Sequence, residues 1–262
     1  MQFFKMHNIG NDYIFTFERL CKSEIIKLCD RNFGIGGDGV VYVYNNGKEY
    51  GYEIYNKDGS RADFCGSVTL ALGLYIYKKD GNNNFKIVTD CGKKDIEVQN
   101  FNGRTRVSMT ISGVKFPAPK ENFNKRVEFA LNDRLIKTRM SVVDIGNKHL
   151  VIRGIFNEQI RREIVSLIEK SKEFNGGINI EFVERQSSSR ARVIVYERGS
   201  GKTLCCTSGG CAVFALLYKL GHFDSSAELI FDGGKLAFEM VKGKITVHSY
   251  PQFVFFGNRC DL

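Results

Sequence analysis

Apolar and polar positions alternate along much of the chain in short runs rich in β-branched and aromatic residues. Val40-Val41-Tyr42-Val43-Tyr44, Phe85-Lys86-Ile87-Val88-Thr89 and Arg192-Val193-Ile194-Val195-Tyr196 are of this kind and predict strands. Helical periodicity is rarer. Ser23 to Cys29 predicts a short helix. Two longer apolar runs predict central helices: one opens at Cys65 and continues through Leu70, Ala71, Leu74 and Tyr75, the other opens at Cys206 and holds Cys211 to Tyr218. Many short strands around essentially one long helix per half of the chain indicate an α+β fold.

These runs belong to an internal repeat. Gly10-Asn11 recurs as Gly146-Asn147, and the glycine turn and strand Gly36-Gly37 to Val43 recur as Gly176-Gly177 to Val183. Cys65 recurs as Cys206, Lys78 just past the first helix as Lys219, and Asp90-Cys91-Gly92 as Asp232-Gly233-Gly234. Five landmarks in one order, each displaced by about half the chain, predict two structurally duplicate halves. The three prolines agree with this partition. Pro117 and Pro119, in Phe-Pro-Ala-Pro-Lys, read as an extended linker, and Pro251 precedes the apolar strand Phe253 to Phe256. The expected halves are residues 1–117 and 118–251, with residues 252–262 returning to pair with the first.

Composition narrows the class. With 43% hydrophobic and 26% charged residues the chain is a soluble globular protein. The longest apolar candidate, Val68 to Tyr77, contains Thr69 and Gly73 and is about half of the roughly 18 residues a membrane span needs. The N-terminal Met-Gln-Phe-Phe-Lys-Met-His lacks a signal-peptide core, so a cytoplasmic location is expected and no membrane partner. The net charge of +9 comes from scattered groups such as Lys93-Lys94, Arg161-Arg162 and Arg190 to Arg192, so nucleic acid is not an expected partner. Eight cysteines in such a chain are expected to be reduced. No CxxC pair occurs and the four histidines lack metal-ligand spacing, so no metal is expected. Cys21, Cys29, Cys91 and Cys260 read as small buried hydrophobes.

Two motifs mislead. Gly34-Ile35-Gly36-Gly37-Asp38-Gly39 matches the dinucleotide fingerprint GxGxxG, but it follows a helix and precedes a strand, the reverse of the required order. Gly199-Ser200-Gly201-Lys202-Thr203 resembles the end of a P-loop, yet Tyr196 stands where the first glycine is needed.

Cys65 and Cys206 each follow a Gly/Ser-containing loop and open an apolar helix. Unpaired N–H groups and the macrodipole at a helix N-terminus favour a thiolate. A duplicated pair suggests an acid and a base facing each other across the cleft between halves. Inverting a carbon needs that geometry, since one group takes the α-proton from one face while another delivers a proton to the other. Helix N-termini can also stabilise the developing carbanion and hold a carboxylate. Asn11, Asn56, Asn147 and Asn179 lie beside turns at strand ends. They can hold ammonium and carboxylate groups, or equally cap their own loops. Arg198 offers a bidentate carboxylate clamp and Glu197 an ammonium partner, unless the two form a surface pair.

Several stretches resemble the diaminopimelate epimerase family. Phe4-Lys5-Met6-His7-Asn8-Ile9-Gly10-Asn11-Asp12 looks like its N-terminal signature, and Arg31 to Gly39 like its R-x-x-G-I-G-x-D-G element. Asn56-Lys57-Asp58-Gly59-Ser60 before Cys65-Gly66, then Gly146 to His149, Ile178-Asn179 and Glu197 to Gly201 before Cys206, complete the set. The resemblance implies two pseudo-symmetric halves, each a mixed or antiparallel sheet or barrel wrapped around a central helix. It implies that Cys65 and Cys206 move the proton, with His149 tuning a cysteine and Glu197 assisting. Asn11, Asn56, Asn147, Asn179, Glu197 and Arg198 would bind an amino-acid substrate, and the amides of Gly66-Ser67 and Thr207-Ser208 its reacting carboxylate. No cofactor is implied, and a homodimer is. The motifs also depart from the family: Ser67-Val68 stands where Asn-Gly is usual, Thr207 where Gly is, Lys148 where Pro is, and Lys202 where Glu is.

Overall fold

The computed structural model describes residues 1–116, 123–131, 134–174 and 176–259. The linker read at Pro117 and Pro119, with the boundary placed there, and Cys260 lie outside the described residues. The described residues fall into two compact units, one from Met1 to Thr110 together with the chain from His248 onward, the other from Ile111 to Val247. None of the described helices is long and apolar enough to cross a membrane.

In the first unit the order is β1 (Gln2–Asn8), β2 (Asn11–Thr16), α1 (Lys22–Cys29), β3 (Gly39–Asn45), β4 (Tyr50–Asn56), β5 (Arg61–Ala62), α2 (Gly66–Asp80), β6 (Asn84–Thr89), β7 (Gly92–Phe101) and β8 (Arg104–Ile111). β1 and β2 form an antiparallel hairpin, α1 carries the chain to a parallel β3, and β4 returns antiparallel. α2 then connects β4 to a parallel β6, followed by antiparallel β7 and β8. Residues Gly66 to Leu74 of α2 are all buried, as expected of a helix that is apolar on every side. Gly81 ends it in the left-handed conformation (φ 73°), its N–H bonding the Tyr77 carbonyl. Lys78 lies within the last turn of α2, inside the helix rather than beyond it.

The second unit repeats that plan. It runs β9 (Lys125–Leu131), β10 (Arg134–Asp144), β11 (Lys148–Arg153), α3 (Glu158–Glu169), β12 (Asn179–Arg185), β13 (Arg190–Glu197), β14 (Gly201–Thr203), α4 (Thr207–Lys219), β15 (Ser226–Phe231), β16 (Gly234–Val241) and most of β17 (Lys244–Ser249), whose last two residues belong to the first unit. β10–β11 is antiparallel, β11–β12 parallel across α3, and β12–β13 antiparallel. β13–β15 is parallel across α4, and β15–β16 antiparallel. The landmarks of the repeat fall at equivalent places: Asn11 and Asn147 at the β1–β2 and β10–β11 turns, Asp90-Cys91 and Asp232-Gly233 in the turns β6–β7 and β15–β16. α4 is buried from Thr207 to Leu217, with Phe214 stacked on Phe238. Truncating such a fully buried ring costs about 3–5 kcal/mol.

α3 departs from the expectation of one long helix per half, for at 12 residues it nearly equals α4 at 13. Only Ile164, Val165 and Ile168 of α3 are buried, a narrow stripe in a charged sequence, and Asn157 caps it by accepting from the Ile160 N–H at 2.9 Å. The last strand, β18 (Gln252–Asn258), pairs antiparallel with β1 from Gln2↔Asn258 to His7↔Gln252, with a bulge at Lys5/Met6. β9 flanks β10 in the same sense. Each of these strands thus follows one repeat in the chain and flanks the first strand of the other.

Candidate functional site

Cys65 is the residue before α2, in extended backbone (φ −139°, ψ 118°) and partly exposed. Its position is fixed by Tyr52, a buried residue of β4. The Tyr52 hydroxyl donates to the Cys65 carbonyl at 3.2 Å, accepts from its N–H at 3.4 Å, and shares a 2.8 Å bond with Thr69. Burial pushes the Tyr52 phenol far above its usual range, so it stays a neutral anchor. The Cys65 sulfur lies 3.8 Å from Asn11 Oδ1 and 3.7 Å from the Tyr13 hydroxyl.

Asn11 is held by the stretch that mimics a dinucleotide fingerprint. Its Nδ2 donates to Asp38 at 2.9 Å. Arg31 bridges Asp38 and Asp12, at 2.9 Å and 2.6 Å, while Lys5 contacts Asp12 at 2.8 Å. Burial raises the Asp38 carboxyl, and the neighbouring Asp12 charge adds to this. Burial pushes Asp12 the same way, but Arg31 and Lys5 outweigh it and hold Asp12 below the usual carboxylate range. Asn56 behaves differently: its side chain donates to Ser60 at 3.0 Å and closes its own turn.

Cys206 is the residue before α4, with nearly the same backbone (φ −131°, ψ 108°), but it is buried. Its sulfur accepts from the Gly209 N–H at 3.3 Å and meets the Ser208 hydroxyl at 3.1 Å. His149 and Glu181, both fully buried, lie beside it, with Nδ1 of the imidazole 2.7 Å from Oε1 of the carboxylate. The other ring nitrogen faces Asn147 Oδ1 at 3.1 Å. Glu197, half-buried at the end of β13, accepts from Thr203 at 2.6 Å. Burial raises the Glu197 carboxyl, and the Glu181 charge adds to this.

Here the sequence expectation needs correction. A helix N-terminus was expected to favour a thiolate, yet the Cys206 thiol is pushed well above its ordinary value, by burial first and then by Glu197 and Glu181. The bonds from Ser208 and Gly209 act the other way and are outweighed.

Of the other expected residues, Asn179 opens β12 and accepts from the Arg198 N–H at 3.0 Å, which ties it to the end of β13. The Arg198 side chain is exposed, passes over Gly177 and has no ion pair among the described residues. Gly66 and Ser67 are buried in the first turn of α2, and Thr207 and Ser208 in that of α4. Lys202 is paired with Asp232 at 3.0 Å.

Glu181, Tyr13 and Asp38 stand outside the residues singled out from the sequence. Glu181 carried one signal, a lone acid between Ile180 and Phe182 in a run otherwise apolar enough to be buried on both faces. Gly209 is the space that admits it, since a Cβ there would come within 2.3 Å of Glu181 Oε1. One donor atom each from His149, Glu181 and Cys206 lies within 4.8 Å of the others, a spacing a metal ion could bridge. The His149–Glu181 bond instead engages two of these donors with each other.

Comparison with known proteins agrees with the geometry. A family model described as diaminopimelate epimerase matches residues 3–114 and 141–250. The chain is 35% identical to a diaminopimelate epimerase of Natranaerobius thermophilus, covering 90% of each chain. It is 32% identical to one of Rickettsia prowazekii, covering 98% of this chain and 96% of the relative. Among solved structures it resembles a probable proline racemase from Agrobacterium radiobacter (TM-score 0.74, 11% identity, 99% and 92% covered). A phenazine biosynthesis protein of the PhzF family from Bacillus anthracis is also similar (TM-score 0.71, 14% identity, 98% of each chain).

Proposed function

The chain belongs to the diaminopimelate epimerase family, and we propose that it interconverts LL- and meso-2,6-diaminopimelate with Cys65 and Cys206 as the proton-transferring pair. The observation that carries this reading is the duplicated placement of two sulfurs on one backbone geometry, each at the N-terminus of a buried helix.

In one direction a thiolate takes the α-proton, breaking C–H and forming S–H. The other sulfur gives its proton to the opposite face of the carbanion, forming the new C–H and becoming the thiolate. Protons balance, and the reverse reaction exchanges the roles. Burial beside Glu181 and Glu197 makes Cys206 the resting thiol, ready to donate. Asn147 orients His149, which with Glu181 shapes the polar wall around that sulfur. Asn11, fixed by Asp38, and the first-turn amides of α2 and α4 serve the carboxylate, on which negative charge develops. Arg198, with Asn179 at its backbone, completes the recognition of the amino acid. No cofactor takes part. The product serves lysine and cell-wall precursor synthesis in the cytoplasm. The active form is a homodimer, for which the exposed Val254, Phe255 and Phe256 of β18 supply apolar surface.

The test is α-proton exchange in deuterated water followed by NMR, under reducing conditions. Exchange into LL-diaminopimelate is expected. Exchange only into another amino acid would make the protein a racemase or epimerase of different specificity. Binding without any exchange would make it a binding protein on the same scaffold.

A further inference from the structure

At the far end of the β10–β11–β12 face from His149, a cavity of about 780 Å³ opens within the second unit. That volume is within the range of small-molecule sites, about 300–1,000 Å³. Its wall is a row of arginines on three adjacent strands. Arg126 of β9 stands directly opposite Arg139 of β10, which stands directly opposite Arg153 of β11. Directly opposed side chains share a face, about 5 Å apart at Cβ, and like charges so placed repel. Arg185 of β12 and His222, beyond α4, line the same cavity, and Val183 and Leu217 give it an apolar floor.

These cations are positioned without being neutralised. Among the described residues the cavity's one ion pair is Lys137 with Glu128, at 3.2 Å. Arg139 donates to the Asn124 backbone carbonyl at 3.2 Å, and Arg153 donates to the Asn124 side-chain oxygen. Asn124 is itself fixed by donating its N–H to Ser141 at 2.8 Å, with a left-handed backbone at φ 57°. Arg185 donates to the His222 carbonyl at 2.9 Å. Among the described residues, neutral oxygens thus hold Arg139, Arg153 and Arg185 in place, and the cavity's two carboxylates, Glu128 and Glu184, are outnumbered by its four arginines and Lys137. The Arg153 Nε is buried, with no hydrogen-bond partner among the described residues. The potential acts on neighbours too: burial and then the Arg139 charge depress Arg153, and burial followed by Arg153 and Arg185 depresses His222.

We propose that this arginine-walled cavity binds a small molecule carrying adjacent phosphate groups, at a site separate from the cysteines. Several forked donors converging on one space match phosphate oxygens, which guanidinium groups bind bidentately. Occupancy relieves the repulsion along the row, and the apolar floor accommodates an organic body attached to the phosphates. The inference concerns residues that take no part in the proposed epimerisation.

The probe is inorganic pyrophosphate, titrated into the full chain at constant ionic strength by calorimetry. Saturable binding with one site per chain is expected, weakened at least tenfold in the Arg126→Gln/Arg139→Gln double variant. A Lys48→Gln/Lys78→Gln control, which removes the same charge from exposed positions elsewhere, retains it. The ring resonances of His222 are expected to move with pyrophosphate and not with chloride. Should the double variant fail to fold, Arg126→Gln alone, at an exposed position, together with the His222 signal gives the same reading. Absence of saturable binding at millimolar pyrophosphate, or equal weakening in the lysine control, overturns the proposal.

Discussion

Cys65 and Cys206 enter their helices with backbone angles within about ten degrees of each other, as the repeat demands. The groups placed around them differ. Cys65 is partly open and meets neutral groups, Asn11, Tyr13 and the backbone-anchoring Tyr52. Cys206 is buried against Ser208, with the His149–Glu181 pair and Glu197 beside it. A helix N-terminus contributes roughly 0.3–1 kcal/mol toward an anion, at most about 2. The effective penalty for burying an ion is several kcal/mol, and two nearby carboxylates add to it. At Cys206 burial therefore wins. Duplication sets where each sulfur sits, and the strands around it set how tightly it holds its proton.

The largest expected effect tests whether both sulfurs act. Cys65→Ala and Cys206→Ala are each expected to lower epimerisation by about 10²–10⁴-fold or more, the scale of a lost acid–base group, measured by α-proton exchange. A normally active Cys65→Ala protein would reduce the comparison to one working cysteine and a remnant.

Next comes the buried His149–Glu181 pair of the second unit. His149→Ala leaves Glu181 buried without its partner and is expected to cost about 3–5 kcal/mol in urea denaturation. The His149→Ala/Glu181→Leu double variant recovers part of that loss if the uncompensated charge is its cause.

Alkylation separates the two sulfurs directly. The thiolate is the reactive form, so the rate–pH profile at Cys206 is expected to lie above that of an ordinary thiol. Glu197→Gln removes a negative charge beside that sulfur and so lowers its pKa. Mass-spectrometric mapping at pH 8 is then expected to show several-fold faster labelling of Cys206, with Cys65 unaltered. Equal change at both would show a general loosening rather than local electrostatics.

The smallest effect is at Thr203→Val, which removes the 2.6 Å bond to Glu197. A hydrogen bond to a charged group contributes about 1.5–3 kcal/mol, less where the acceptor finds another donor. A several-fold fall in kcat with little change in KM is expected.

Much of this is legible in the chain because turns are local. Gly10-Asn11, Gly146-Asn147 and the two aspartate-containing hairpin turns announce themselves through residue type, and the two helices through unbroken apolar runs. Asn11, Asn147, His149, Glu197 and Ser208 could be picked out because each lies in a recognisable short motif. Asn56 could be picked out too, but whether it serves a ligand or its own turn depends on Ser60 in three dimensions. Glu181 and Tyr13 reach their cysteines through strand pairing with distant segments, which no local pattern encodes. The thiol state of Cys206 was illegible for the same reason, since its two carboxylates come from β12 and β13. α3 was hidden by the narrowness of its apolar stripe.

The pairing of β18 with β1 imposes an order of assembly. As the chain leaves the ribosome, the first unit emerges before the second, yet Phe3, Phe4 and Met6 lie on a strand whose outer partner, β18, is made only after the second unit. β10, by contrast, follows β9 almost at once. Until β18 is made, the nascent first unit keeps a bare, apolar strand edge, the feature most prone to pairing with a neighbouring chain. The unit that begins first is completed last, and its exposure to misassembly lasts as long as the second unit takes to be translated.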